Sequence, residues 1–222
     1  ANLLNIPDAS ENYSFCKIDI CNQSEIKNIL KDFAPNQIFH LAAESHVDNS
    51  IESPIDFIQS NIFGTYSLLE ASRSYFDMLK NRSKENFKFI HVSTDEVFGD
   101  LKVDSEELFH ENFPYKPSSP YSASKASSDH LTRAWNKTFG LPTIITNCTN
   151  NYGPFQHKEK LIPKTITNAL MHKKIPIYGS GEQVRDWLYV DDHTNCLIQI
   201  ADMAQSGDSF CIGGNNAIKN LE

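Results

Sequence analysis

Apolar runs of strand length alternate with stretches of helical periodicity along most of the chain. Residues 13–18 read as a strand ending at Asp19. Residues 23–33 place Ile26, Ile29, Leu30 and Phe33 on one helical face. A buried strand is predicted over 37–42, running into the polar segment Glu44-Ser45-His46-Val47-Asp48. Ser53-Pro54 supplies an N-cap and a first-turn proline for a long helix towards Lys80. The next strand, 87–93, ends at Thr94-Asp95-Glu96, and Ser119-Pro120 opens a helix through about Phe139. Residues 142–147 form a further strand, followed by the turn-rich Asn150-Asn151-Tyr152-Gly153-Pro154. Beyond it the rhythm loosens: helices over 161–172 and 191–204, and strands over 175–178, 187–190 and 209–212.

Strand–helix alternation of this kind specifies an α/β protein with a parallel sheet. In such sheets ligands bind beyond the carboxyl ends of the strands, and each polar cluster follows a predicted strand, so the clusters are expected to converge on one crevice. The polar stretch 99–119 is long for a connection and is a candidate lid or site loop. Neither G-x-G-x-x-G nor G-x-x-G-x-x-G occurs, although a dinucleotide-binding sheet normally opens with such a turn.

Composition narrows the class. The 222 residues carry a formal charge of −8, which argues against a nucleic-acid or anionic-membrane surface. No apolar run reaches the length of a membrane span. The five cysteines form no C-x-x-C pair and the eight histidines show no ligand spacing, so free thiols in a reducing compartment are expected and a metal site is not.

Tyr121 and Lys125 share a face of a predicted helix, and an ammonium near a phenol favours the phenolate, a base for a sugar hydroxyl. The same spacing at Tyr13/Lys17 falls on a strand pattern, which holds the two groups far apart, and marks it as accidental. Asp95 and Glu96 put two carboxyl groups at a strand end. They serve as an acid and a base if their environments differ, or otherwise as a cap or solvated turn. Thr94 either bonds a substrate hydroxyl or closes its own turn. Arg185, one of only four arginines, suits a pyrophosphate or pairs with Asp186. His40, His46 and His91 read as hydrogen-bonded structural residues.

In order, these features resemble the extended short-chain dehydrogenase/reductases, in which Y-x-x-x-K follows a strand-end Ser-Thr. HLAAESHVDNSI (40–51), STDEVFGD (93–100), SPYSASKASSDHL (119–131), TNCTNNYGPFQHKEKLIP (146–163), PIYGSGEQVRDWLYVDDH (176–193) and IGGNNAIKN (212–220) resemble, within that group, the 4,6-dehydratases of dTDP-sugars. The resemblance implies an α/β fold with a doubly wound parallel, Rossmann-type sheet. It also implies that the first βαβ unit, with its glycine-rich turn, is lacking from this chain. An NAD-binding domain over 1–150 and part of a smaller sugar-nucleotide-binding region over 151–222 are expected.

The implied reaction converts dTDP-glucose to its 4-keto-6-deoxy sugar, with no net use of NAD. Tyr121, assisted by Lys125, would deprotonate the C4 hydroxyl held by Thr94; Glu96 would take the C5 proton and Asp95 protonate the departing C6 hydroxyl. The same matching assigns Asp19, Ile20, Leu41, Ala42, Ala43, Ser60, Tyr121, Lys125 and Asn151 to NAD. It assigns Ser45, Thr94, Asn150, Lys160, Leu161, Pro176, Tyr178, Arg185 and Asn220 to the sugar nucleotide, with Arg185 and Asn220 at the pyrophosphate and Pro176 and Tyr178 at the base. A GDP-mannose or UDP-sugar 4,6-dehydratase is the neighbouring expectation, and a silent fragment acting in binding or assembly is the expectation of another class. A cytoplasmic homodimer, paired through the long helices near 54–80 and 119–139, is expected, with no nucleic-acid or membrane partner.

Overall fold

The computed structural model of the chain describes residue 5 and residues 12–101, 107–177 and 181–221. Four parallel strands lie side by side in the order β1 (Gln37–His40), β2 (Lys88–Thr94), β3 (Thr143–Cys148) and β6 (Ser209–Ile212). A second sheet joins β4 (Asn150–Tyr152) in parallel to β5 (Val184–Tyr189), and β5 in antiparallel to β7 (Ala217–Lys219). The helices are α1 (Gln23–Phe33), α2 (Val47–Glu52), α3 (Pro54–Phe57), α4 (Gly64–Met78), α5 (Asn81–Glu85), α6 (Pro120–Phe139), α7 (Leu161–Leu170) and α8 (Val190–Met203).

Alternate residues of β2 explain why helices cover both faces of the main sheet. Phe89 packs with Ile26 and Leu30 of α1 and with Leu69 and Phe76 of α4. Its neighbour Ile90 points the other way, to Ile144, Leu188 and the α8 residues Leu197 and Ala201. The sheet is therefore doubly wound, as the alternating pattern implied. Lys88 opens β2 by donating Nζ to the Ala201 and Asp202 carbonyls at 2.6 and 3.0 Å, which satisfies acceptors at the α8 C-terminus.

Two helix starts follow from sequence chemistry. The Asn22 side chain accepts from the Glu25 amide at the head of α1. Ser119 and Ser122 form a reciprocal capping box around Pro120, and α6 stops at Gly140 with φ +68°. α6 lies against β2 and β3 with Tyr121 and Lys125 both buried on its inner face.

Several expectations are revised. Residues 14–19 form no ladder; a strand pattern becomes a strand only beside a paired neighbour, and β1 is the edge strand on that side among the described residues. The helix expected from 54 onward is broken by a π-helical turn, Ile58–Phe63, between α3 and α4. Residues 150–152 pair with β5 instead of forming a turn, while 173–177 form no strand. The described part of the 99–119 stretch is docked: Phe109, Phe113 and Tyr115 pack on Phe98, and Glu111 accepts the Cys211 amide at 2.9 Å. Residues 102–106 and Tyr178 lie outside the described residues.

Candidate active site

β2 ends where the chain must turn, and Thr94 makes the turn. Its Oγ1 accepts from the Glu96 amide at 3.3 Å and caps a short 3₁₀ helix, Asp95–Phe98, whose buried Val97 and Phe98 anchor it. This tight turn carries Asp95 and Glu96 into the same crevice, which an extended backbone would not allow. Thr94 Oγ1 also donates to Asp95 Oδ1 at 3.2 Å.

The electrostatics raise both carboxyl groups. Burial and the neighbouring Glu96 charge push Asp95 up to about 6, against the Thr94 hydrogen bond and the Arg185 charge, which lower it. Burial also raises Glu96, opposed by Arg185 and Lys160. Burial, then the charges of Glu96 and Cys148, raise Tyr121, and the nearby Thr94 hydroxyl opposes them. Burial and the Asp95 charge lift the Cys148 thiol to about 12, against Lys125 and Asn151, which lower it, so it is not a thiolate nucleophile.

Lys125 is 4% exposed and donates Nζ to the Val92 carbonyl at 2.9 Å; burial lowers it and the Asp129 charge opposes that. Asp129, one turn further along α6, is a fully buried carboxylate. It accepts from Tyr115 OH at 2.8 Å, from Asn147 Nδ2 at 3.2 Å and from His91 Nε2 at 3.1 Å. Burial would raise it, but the His91 bond and the His91 and Lys125 charges outweigh burial and hold it low. Asn147 Nδ2 reaches the Thr94 carbonyl at 3.1 Å, so this carboxylate ties α6 to the turn.

Beside the turn lies a cleft of about 200 Å³ lined by Asn150, Asn151, Gln156, Lys160, Leu161, Arg185, Trp187 and Asn220. Six of the expected substrate and cofactor residues thus converge. Ser45 joins them through its carbonyl, which accepts Lys160 Nζ at 2.9 Å. Pro176 is half-buried outside the lining. Gln156 and Trp187 were not singled out from sequence; a glutamine and a tryptophan in a loop and a strand carry no motif signal. Gln156 Oε1 and Asn220 Oδ1 are buried acceptors with no hydrogen-bond partner among the described residues, which suits a hydroxyl-rich ligand.

The other expected cofactor residues lie on several elements. Leu41, Ala42 and Ala43 form an exposed apolar shelf at the carboxyl end of β1, with Leu41 56% exposed. Asp19 and Ile20 adjoin the π-helical turn that holds Ser60: Cys21 Sγ donates to the Gln59 carbonyl at 3.4 Å, and a Cβ on Gly64 would meet Ile20 Cδ1 at 2.5 Å. Asn151 is fixed by His193 Nδ1 at 2.7 Å and by the Thr149 carbonyl at 3.0 Å. An exposed apolar shelf at a strand end suits the flat rings of a dinucleotide. Tyr13 and Lys17 lie on irregular chain away from any helix, so the second Y-x-x-x-K match has no site. Among the described residues no cluster of His, Cys, Asp or Glu is placed to hold a metal ion, and no helix is long and apolar enough to cross a membrane.

A doubly wound sheet with a Tyr/Lys pair and a carboxyl pair at its strand ends defines a class of sugar-nucleotide proteins. The chain belongs to the family described as GDP-mannose 4,6 dehydratase, whose model matches residues 1–221. It is 53% identical to the dTDP-glucose 4,6-dehydratase of Salmonella typhimurium, over 100% of this chain and 64% of that protein. To dTDP-glucose 4,6-dehydratase 1 of Escherichia coli K12 it is also 53% identical, over 96% of this chain and 61% of that one. The crystal structure of dTDP-glucose 4,6-dehydratase from Bacillus anthracis in complex with NAD superposes with a TM-score of 0.87 at 40% identity, covering 99% of this chain and 65% of that chain. The chain therefore spans less than two thirds of the length of these relatives. A UDP-glucuronic acid 4-epimerase from Bacillus cereus shares the fold at TM-score 0.83 and 29% identity, covering 96% of this chain and 63% of that one, so the fold alone does not select the chemistry.

Proposed function

We propose that the protein to which this chain belongs is an NAD-dependent dehydratase that converts dTDP-glucose to dTDP-4-keto-6-deoxyglucose. The observation that carries the reading is the Thr94-Asp95-Glu96 turn, which holds two carboxyl groups with raised affinity for protons beside buried Tyr121. An elimination across neighbouring carbons needs a base and an acid at once, and the pair meets that need. The 53% identity to dTDP-glucose 4,6-dehydratases supports the choice of nucleotide and sugar.

In this reading Tyr121, with Lys125 behind it, takes the C4 hydroxyl proton. Glu96 takes the proton from C5, and Asp95 protonates the C6 hydroxyl as it leaves as water. When bound, NAD supplies the hydride acceptor at C4, the hydride donor at C6 and a positive ring that favours the Tyr121 phenolate. Asp19, Ile20, Leu41, Ala42, Ala43, Ser60 and Asn151 would hold it. Ser45, Asn150, Lys160, Leu161, Pro176, Tyr178, Arg185 and Asn220 would hold the sugar nucleotide, with Arg185 at the pyrophosphate. Residues 1–150 would serve the cofactor and 151–222 part of the substrate region, with β6 returning to complete the main sheet.

The reading includes a homodimer. Ile55, Ile58, Phe63 and Tyr66 leave an exposed apolar stripe along α3, the π-helical turn and α4, and Phe139 continues it at the end of α6. The five free thiols suit a reducing cytoplasm.

The description of the family favours a second substrate, GDP-mannose. Assaying the full-length gene product with dTDP-glucose, GDP-mannose and UDP-glucose decides. A 4-keto-6-deoxy product from dTDP-glucose is expected; its absence, with product from another sugar nucleotide, reassigns the substrate.

A further inference from the structure

Asp95 and Glu96 stand on a single 3₁₀ turn, so their aim is set by what grips its two ends. Asn147 grips the first end. Its Nδ2 donates to the Thr94 carbonyl at 3.1 Å and to Asp129 Oδ2 at 3.2 Å. Two acceptors use both hydrogens of the amide and fix its orientation. The segment around Tyr115 grips the far end. The Tyr115 ring lies edge-on to Phe98 at 5.3 Å, and the Lys116 amide donates to the Val97 carbonyl at 3.0 Å. The Tyr115 hydroxyl donates to Asp129 Oδ2 at 2.8 Å, and Arg133 Nη2 donates to the Tyr115 oxygen at 3.0 Å, which keeps the phenolic proton aimed at Asp129. Both grips therefore end on one carboxylate oxygen. His91 Nε2, from β2, holds the other oxygen at 3.1 Å. Asp129 itself lies on α6, one turn beyond Lys125 and two beyond Tyr121. None of the proton transfers of the dehydration uses it.

We propose that Asp129 is a positioning residue for the elimination step, its carboxylate aligning the Asp95/Glu96 turn against the helix that carries Tyr121. This rests on the dehydratase reading and deepens it.

The anchor suits the task. Asp129 is fully buried, so its bonds meet no competition from water. A carboxylate offers only acceptors, so donors from β2, β3 and the segment before α6 can converge on it. The two halves of the reaction depend on this anchor unequally. Oxidation at C4 is served by Tyr121 and Lys125, and Lys125 has its own tether to the Val92 carbonyl at 2.9 Å. Elimination requires Asp95 and Glu96 to meet C6 and C5 at once, on the turn that Asn147 and Tyr115 hold. A misplacement of about 1 Å costs such a step about 10²-fold.

The test uses the full-length enzyme in single-turnover reactions with dTDP-glucose. The appearance of reduced cofactor reports C4 oxidation, and its reoxidation follows elimination. Asn147→Ala cuts the first grip, Asp129→Leu removes the anchor, and Tyr115→Phe removes one hydroxyl bond while keeping the ring. All three should eliminate more slowly than wild type, the first two by about 10²-fold. Oxidation should suffer much less, so reduced cofactor and the sugar oxidised at C4 accumulate. Asp129→Asn supplies the rescue: its oxygen can take the Asn147 and Tyr115 bonds, and its amide can donate to His91 Nε2 in the other ring tautomer. It should eliminate close to the wild-type rate, without build-up of reduced cofactor. A merely structural role would slow oxidation and elimination by the same factor. That result, in variants whose circular dichroism matches wild type, overturns the proposal. So does a wild-type elimination rate in Asn147→Ala, or Asp129→Asn as slow as Asp129→Leu. If Asp129→Leu does not fold, Asn147→Ala and Tyr115→Phe decide. Wild type that yields no 4-keto-6-deoxy sugar from dTDP-glucose sinks the dehydratase reading instead.

Discussion

Asp95 binds its proton more tightly in the folded chain than in the unfolded one, because burial and Glu96 raise it from 3.8 to about 6. The linkage sign follows: between about pH 4 and 6 the folded state holds more protons, so stability falls as pH rises through that window. A shift of about two units corresponds to roughly 3 kcal/mol once pH exceeds 6. Asp95→Asn should therefore be more stable than wild type at pH 8, by up to about 3 kcal/mol, with the difference vanishing near pH 4. Urea denaturation at both pH values checks it; a variant no more stable at pH 8 would show that the group carries no such strain. The same substitution should abolish water loss, since stability and function compete at this position.

Among the elements, the π-helical turn between α3 and α4 matters most to the site. It places Asn61, 1% exposed, where its Oδ1 accepts the Glu44 amide at 2.8 Å and its Nδ2 donates to the Glu44 carbonyl at 3.0 Å and to Ser124 Oγ at 2.8 Å. One side chain thus fixes the loop after β1 and the helix that carries Tyr121 and Lys125. Asn61→Ala removes both bonds to the Glu44 backbone and the bond to the buried Ser124 hydroxyl, at a combined cost of about 1–3 kcal/mol. Thermal or urea denaturation should show a loss in that range. Ser124→Ala should cost much less, because the Ser124 hydroxyl also serves its own helix through the Tyr121 carbonyl at 2.7 Å.

At the scale of the whole molecule, the apolar stripe along α3, α4 and α6 is the expected seat of the homodimer. Phe63 is 45% exposed and stacks on Tyr66 at 5.8 Å, which in turn meets Trp135 at 5.8 Å, so the stripe is ordered without a partner. Sedimentation velocity of the full-length protein should find a dimer, and Phe63→Glu should yield monomers with unchanged circular dichroism. Dimers that persist in the variant place the interface elsewhere.

Much of this was legible in the chain itself. The alternation of strand and helical patterns specified the parallel sheet, because strand and helix periods direct apolar side chains to fixed faces. The order of Thr94-Asp95-Glu96 and Tyr121/Lys125 marked the chemistry, while Tyr13/Lys17 was set aside on its strand pattern. What the sequence could not determine depended on partners distant along the chain. The 13–18 pattern lacks a ladder because pairing is a property of two strands. The 99–119 stretch proved docked in its described part, through Phe98 and Glu111. Gln156, Trp187, Asn147 and Asp129 acquired their places only when separate elements met. Local periodicity and motif order decided the fold class and the reacting groups; burial and long-range hydrogen bonding decided which protons those groups hold, and that is a tertiary property because desolvation and charge act through space.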